Sequence, residues 1–294
     1  MVKDNHMKLF VFGLGYTASH FIRLQGMRFA LISGTIRSVE KTETLYGEGI
    51  QTFIFNPPVI DERIMQQVTD SDAVLISIQP NANGDVVLRE FSSALMAAKR
   101  LRWIGYLSTV GVYGNHDGGR VKETNAIQPI SFRSRQRAEI EKEWLAFGEM
   151  SGKPVHIFRL AGIYGPNRNA FEKLANGTAR RLIKPGQVFN RIHVEDIAAT
   201  LAASLDRPRA GAIYNIADDE PAPPQEVVAF AAKLMQVEIP PDIPFDSSTL
   251  NPMTVSFYSE NKRVDNSLIK EELGVRLSYP TFREGLKSLY KSYN

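Results

Sequence analysis

Apolar runs of strand length alternate with helical patterns along most of the chain, as a parallel sheet with helical crossovers requires. "KLFVFG" reads as the first strand, and a Gly-rich turn then leads into a helix over Tyr16–Gln25. "FALISG" and "IQTFIFN" are the second and third strands. "DAVLISIQP" is the fourth, and its nearly unbroken apolar character suits a strand covered on both faces. A helix is expected over residues 85–100, then "WIGYLSTVGVYG" as a fifth strand running into a loop. "SFRSRQRAEIEKEW" opens a charged helix, with Arg135 one turn from Glu139 and Arg137 one turn from Glu141. "PVHIFRLAGIYGP" is a sixth strand and "GAIYNIAD" a later one.

This pattern gives an α/β fold, a Rossmann-type doubly wound parallel sheet with a smaller C-terminal substrate lobe. Residues 1–165 form the dinucleotide-binding core, completed by about 190–217. Residues 166–189 and 218–294, with the proline clusters "PAPP" and "IPPDIP", form the smaller lobe, expected over the carboxyl ends of the strands.

Composition narrows the chemistry. The chain has 294 residues, 43% hydrophobic and 23% charged, with a net charge of +3. So balanced a charge points to no nucleic acid and no membrane, while a pI near 9.0 suits an anionic ligand. There are no cysteines, which removes disulfides, thiolate nucleophiles and cysteine-held zinc, and no metal is expected. "MVKDNHMK" carries no apolar run, so no signal peptide or membrane helix is expected and the cytoplasm is the default location.

"GLGYTA" (residues 13–18) follows a strand and opens a helix, matching G-x-G-x-x-[GA]. Gly13 permits the tight turn and Gly15 the close approach of backbone to a pyrophosphate. The helix start, with Tyr16 and Thr17, offers N–H donors and a positive dipole end. The second strand ends "ISGTIR", without the acid that would read the ribose of NAD, and Arg37 lies just beyond. A 2′-phosphate meets no clash there and an arginine can bind it bidentately, so NADP is preferred over NAD. The competing reading makes Arg37 a solvated residue at a helix start.

"LSTVGVYG", "RLAGIYGP", "RIHVEDIAA" and "GAIYNIADDEP" resemble, in order and spacing, the extended short-chain dehydrogenases/reductases, the NAD-dependent epimerase/dehydratase family. "KRVDNSLIKEELGVRLSYPTFREGL" is similar to that family's closing segment, and the likeness covers roughly residues 8–289. Ser108 and Thr109 end a buried strand where a hydroxyl faces the cofactor cleft. The resemblance gives Thr109 the hydrogen bond to a substrate carbonyl or hydroxyl; otherwise it bonds nearby backbone. Tyr113 and Tyr164 read as structural aromatics. His193 either meets substrate or holds the second lobe, and Asp196 caps or anchors its helix. Arg168, Arg180, Arg181, Lys184 and Arg191 fall where family members bind an anionic substrate tail, or form an ordinary basic surface.

The resemblance also implies a Tyr-x-x-x-Lys pair on the helix after the fifth strand, the lysine lowering the tyrosine pKa for proton transfer. Here Ser131 stands at the tyrosine and Arg135 at the lysine. A serine hydroxyl is a far weaker acid than a phenol, and an arginine is always charged and shuttles no proton. Ser131 also reads as the N-cap of the helix. With the proton donor displaced, Thr109, Tyr113, Tyr164 and His193 are the substitutes. Two functions remain open: an NAD(P)-dependent oxidoreductase or epimerase acting on a small-molecule substrate by hydride transfer, or a catalytically silent NADP-binding sensor or scaffold. The family's habit of pairing through a four-helix interface adds a homodimer as the expected assembly.

Overall fold

A computed structural model of the chain describes residues 6–38, 49–57 and 59–293. Its strands in chain order are β1 (Met7–Phe12), β2 (Phe29–Ile36), β3 (Ile50–Asn56), β4 (Val59–Ile60), β5 (Ala73–Ile76), β6 (Trp103–Thr109) and β7 (Arg120–Val121). They continue with β8 (Val155–Leu160), β9 (Gly162–Tyr164), β10 (Arg181–Ile183), β11 (Arg191–His193), β12 (Ala212–Ile216), β13 (Asp242–Pro244) and β14 (Arg263–Val264). Eight strands make one sheet in the order β12-β8-β6-β5-β1-β2-β3-β4. β1 pairs in parallel with β2 and β5, as do β2 with β3 and β5 with β6, while β4 closes one edge antiparallel. The chain lays β2 and β3 on one side of β1, then places β5 and β6 on the other. The reversal between β1 and β5 is the switch point at which open α/β sheets bind ligands.

The sheet has the Rossmann-like parallel architecture read from the sequence, with two differences of extent. "PVHIFRLAGIYGP" is not one strand: β8 ends at Leu160, and β9 pairs in parallel with β11 in a separate two-stranded sheet. The division falls at Ala161 and Gly162, whose N–H groups donate to Ile216 and Asn190 respectively. The helix expected over residues 85–100 is Val86–Ala97, because Asp85 stays outside as its N-cap, accepting from Val87 and Leu88.

The chain divides into two compact units. One comprises Met1–Ser108, Gln136–Phe158 and Ala198–Tyr214. Its core is aromatic: Phe10, Phe12, Phe55 and Phe91 pack with ring centroids 4.9–5.3 Å apart in three of their contacts. Its first helix, Tyr16–Gln25, buries Thr17, Ala18, Phe21 and Ile22 on one face. The other unit comprises Thr109–Arg135, Arg159–Ile197 and Asn215–Asn294. It has a small core of its own around Phe171, Phe282 and Leu286, and two-stranded sheets β9–β11, β10–β13 and β7–β14. No helix among the described residues is long and apolar enough to cross a membrane.

Candidate functional site

The turn after β1 has the geometry that the glycine pattern calls for. Gly13 sits at φ +89°, and a Cβ there would lie 2.9 Å from the Ile78 side chain. Only glycine takes that conformation and that closeness without strain. Gly13 N–H donates to Thr35 Oγ1 at 2.8 Å, and Leu14 N–H donates to the Thr35 carbonyl at 2.9 Å. Thr35 on β2 therefore fixes the turn, a role that its place in "ISGTIR" does not signal.

Gly15 is the N-cap of the helix Tyr16–Gln25, in extended backbone with φ −96° and ψ −171°. Its Cβ would meet nothing within 4 Å, so the space that a side chain would fill is open. No side chain caps this helix, and its first turn has no acidic residue. Open space beside uncapped N–H donors fits a pyrophosphate. Ala18 is fully buried, which lets helix and strand pack closely.

At the end of β2, Ser33 donates to Gln67 at 3.2 Å. Arg37 is exposed immediately past the strand. No carboxylate stands at Ser33, Gly34, Thr35 or Arg37.

Three strands across the sheet order from β2 lies β6, whose last residues are held from the helix Phe132–Ser151. Ser108 Oγ donates to Glu141 Oε1 and does not stand free toward a cofactor. Arg137 donates to the Leu107 carbonyl and to the Tyr106 hydroxyl, both at 2.8 Å. Glu139 takes its cation from Lys142 at 2.9 Å, so the charged stripe is not the solvated i,i+4 ladder that its sequence suggests. Asp85 accepts from Trp144 Nε1 at 3.3 Å, and burial pushes its carboxyl above the usual range. Glu141, Arg137 and Thr35 escape sequence reasoning because the partners that define them are 22 to 33 residues away.

In the second unit, Thr109 Oγ1 accepts from Gly111 N–H at 3.1 Å, capping a single 3₁₀ turn over Val110–Tyr113. Ser131 Oγ accepts from Ser134 N–H at 3.1 Å and donates to Ser134 Oγ at 2.9 Å. That is the capping arrangement of a helix that starts at Phe132. Arg135 is exposed and donates to the Ile130 carbonyl. Both residues at the expected acid–base positions thus serve the start of their own helix.

The other candidates are engaged as well. The Tyr113 hydroxyl donates to Asn215 at 2.7 Å and accepts from Arg159 at 2.9 Å, and burial raises its pKa. Tyr164 is likewise pushed up by burial, its hydroxyl directed at the Thr281 carbonyl 3.4 Å away. His193 is buried with its ring against Tyr164 and Tyr279. Asp196 anchors the segment at Ser278 and Tyr279, accepting both N–H groups at 2.7 and 3.1 Å. Burial lifts its carboxyl to about 6.

Of the five basic residues, Arg181 pairs with Asp242 at 2.5 Å and bonds the Pro240 carbonyl. Lys184 bonds the Tyr258 carbonyl, and Arg191 bonds the carbonyls of Phe189 and Ala222 at 2.9 and 3.0 Å. Arg180 is exposed, and Arg168 pairs through its backbone with Gly165. The structure brings three of them to backbone carbonyls and not to a common anion site. No group of three or more His, Asp or Glu among the described residues is placed to hold a metal ion.

Residues 78–217 match the NAD dependent epimerase/dehydratase family. Over 98% of this chain and 99% of its own, a functionally unknown conserved protein from Silicibacter pomeroyi DSS is 47% identical and superimposes with a TM-score of 0.89. Protein YeeZ of Escherichia coli (strain K12) is 29% identical over 286 residues, 93% of this chain and 96% of that protein. The dTDP-glucose 4,6-dehydratase of Bacillus anthracis str. Ames, solved in complex with NAD, shares the fold with a TM-score of 0.76 at 18% identity, covering 98% of this chain and 96% of its own.

Proposed function

Through residues 78–217 the chain belongs to the NAD-dependent epimerase/dehydratase family, and from that premise we propose that it binds a nicotinamide dinucleotide, NADP in preference to NAD, and reports its occupancy without reducing a carbonyl. Gly13, Gly15, Tyr16 and Thr17 would hold the pyrophosphate, and Arg37 a 2′-phosphate. When bound, the dinucleotide supplies a hydride donor or acceptor. Carbonyl reduction needs a proton as well, and here the observation that carries the reading is the use made of Ser131 and Arg135. The hydroxyl caps a helix and the guanidinium holds a carbonyl, in place of a phenol activated by a lysine. Tyr113 and Tyr164 are driven by burial toward still weaker acidity, which makes them poorer proton donors near neutral pH.

The test is a pair of measurements on one preparation. NADPH should raise the melting temperature by linkage, and no carbonyl substrate should then draw down the nicotinamide absorbance. Carbonyl-dependent oxidation of NADPH that Ser131→Ala or Arg135→Ala abolishes would overturn the silent reading.

A second reading, an oxidoreductase or epimerase moving a hydride on a small substrate, is favoured by one observation. The buried pair Ser108–Glu141 keeps a hydroxyl polarised by a carboxylate at the carboxyl end of β6. On this reading turnover exists and is lost in Ser108→Ala, while Ser131→Ala leaves it intact.

A further inference from the structure

Glu141 is only 2% exposed, yet it stands on a helix face otherwise buried through Ala138, Ile140 and Trp144. Apolar residues would cover that face at lower cost, since a buried carboxylate is destabilising unless its partners are well placed. The helix instead carries two ionisable groups that between them reach three consecutive residues of β6. Glu141 accepts from Ser108, while Arg137 bonds Tyr106 and Leu107 and lies with its guanidinium 5.6 Å from the Tyr106 ring centroid. Tyr106, Leu107 and Ser108 are the last turn of extended chain in β6 before Thr109.

The sheet order says what this end of β6 serves. β1, β5 and β6 are successive parallel neighbours, so the turn at Gly13 and the end at Ser108 lie on the same edge of the sheet. They are two strand spacings apart, about 10 Å. The adenosine ribose is read at the end of β2, on the other side of β1. A dinucleotide whose pyrophosphate sits at Gly13 therefore extends its second half toward β5 and β6.

Resting on the dinucleotide reading above, we propose that Glu141 and Arg137 are positioning residues that clamp the carboxyl end of β6 so that it receives the nicotinamide half of the cofactor. The residues touch no phosphate, so their effect falls on one half of the ligand only. A clamp that served stability alone would change melting and treat both halves alike.

The experiment compares two probes, NADPH and 2′,5′-ADP, which keeps the phosphorylated adenosine but lacks the nicotinamide. Each is titrated into the wild type, Glu141→Leu, Glu141→Gln and Ser108→Ala. Glu141→Leu should bind NADPH at least about tenfold more weakly with 2′,5′-ADP unchanged, and Glu141→Gln, which still accepts from Ser108, should recover most of the loss. Ser108→Ala removes only a hydroxyl, takes this donor from the Glu141 carboxylate, and should reproduce the selective loss. NADPH binding at wild-type strength in both Glu141→Leu and Ser108→Ala overturns the proposal, as does an equal loss for both probes. Should 2′,5′-ADP fail to bind the wild type, the dinucleotide reading itself falls and takes the clamp with it.

Discussion

Gly13–Ala18 and Ser131–Arg135 are both places where the chain enters a helix, and each has one residue at the cap. At the first, Gly15 offers no side-chain cap and the opening turn has no acid, which suits the proposed anion site. At the second, the Ser131 hydroxyl accepts from Ser134 N–H and closes the helix on itself. The two differ in what satisfies the first N–H donors, which every helix leaves unpaired. An open start can bind, and a start closed by its own serine cannot. The two landmarks thus part company: the glycine turn keeps the geometry that the proposed dinucleotide site needs, and the positions that the resemblance gives to an acid–base pair form a helix cap.

The strongest way to break this comparison is to close the open start. Gly15→Asp suits the extended backbone and its Cβ meets no atom within 4 Å, so the variant should fold and melt at or above the wild-type temperature. Its carboxylate would take the N–H donors and repel the pyrophosphate, weakening NADPH by roughly 100-fold, about 2.7 kcal/mol. A titration by calorimetry reads both outcomes, and unchanged affinity would contradict the assignment of the turn.

The second unit carries a separate signature in pH. Asp218 is buried, and desolvation lifts its carboxyl from the ordinary 3.8 to about 8. Its folded pKa is raised, so its favourable contribution is complete below pH 4 and disappears as pH rises to about 8. Asp196, lifted to about 6, adds the same trend between pH 4 and 6. Asp218→Asn keeps the neutral form at every pH, so it should leave stability near pH 4 unchanged and raise it at pH 8 by several kcal/mol. Denaturant unfolding at the two pH values checks the sign.

Arg37→Ala addresses the first unit alone. It should lower the preference for NADP over NAD about tenfold, about 1.4 kcal/mol, with little change in NAD binding. Equal loss of both cofactors would return Arg37 to the solvated surface. The smallest effect is expected at the closed start. Ser131→Ala removes a cap worth about 1 kcal/mol and should leave NADPH affinity as it was. A fall in affinity there would mean that the serine does more than end a helix.

Much of this contrast was legible in the residues. The alternation of apolar runs located every parallel strand of the sheet from β1 to β6 that the structure shows, because central strands buried on both faces leave continuous apolar stretches. Ser131 before "FRSRQRAE" read as a cap for the same reason that it acts as one. The break between β8 and β9 was hidden, since Leu160 and Gly162 sit in one apolar run and only the distant acceptors Ile216 and Asn190 divide it. β13 carries no strand signal in the sequence because Pro244 reads as loop, and its partner β10 is only three residues long. Thr35, Arg137 and Glu141 were illegible as site residues, because what they hold lies on other elements. The charged helix looked like a solvated face, and half of its meaning is in side chains that turn inward.

The account rests on the open helix start after β1, and the most direct measurement is the calorimetric titration of NADPH into the wild type and Gly15→Asp side by side. Saturable one-site binding to the wild type, roughly 100-fold weaker binding to the variant, and equal or higher melting of the variant without ligand are expected. Equal binding to the two proteins, or none to the wild type, contradicts the account.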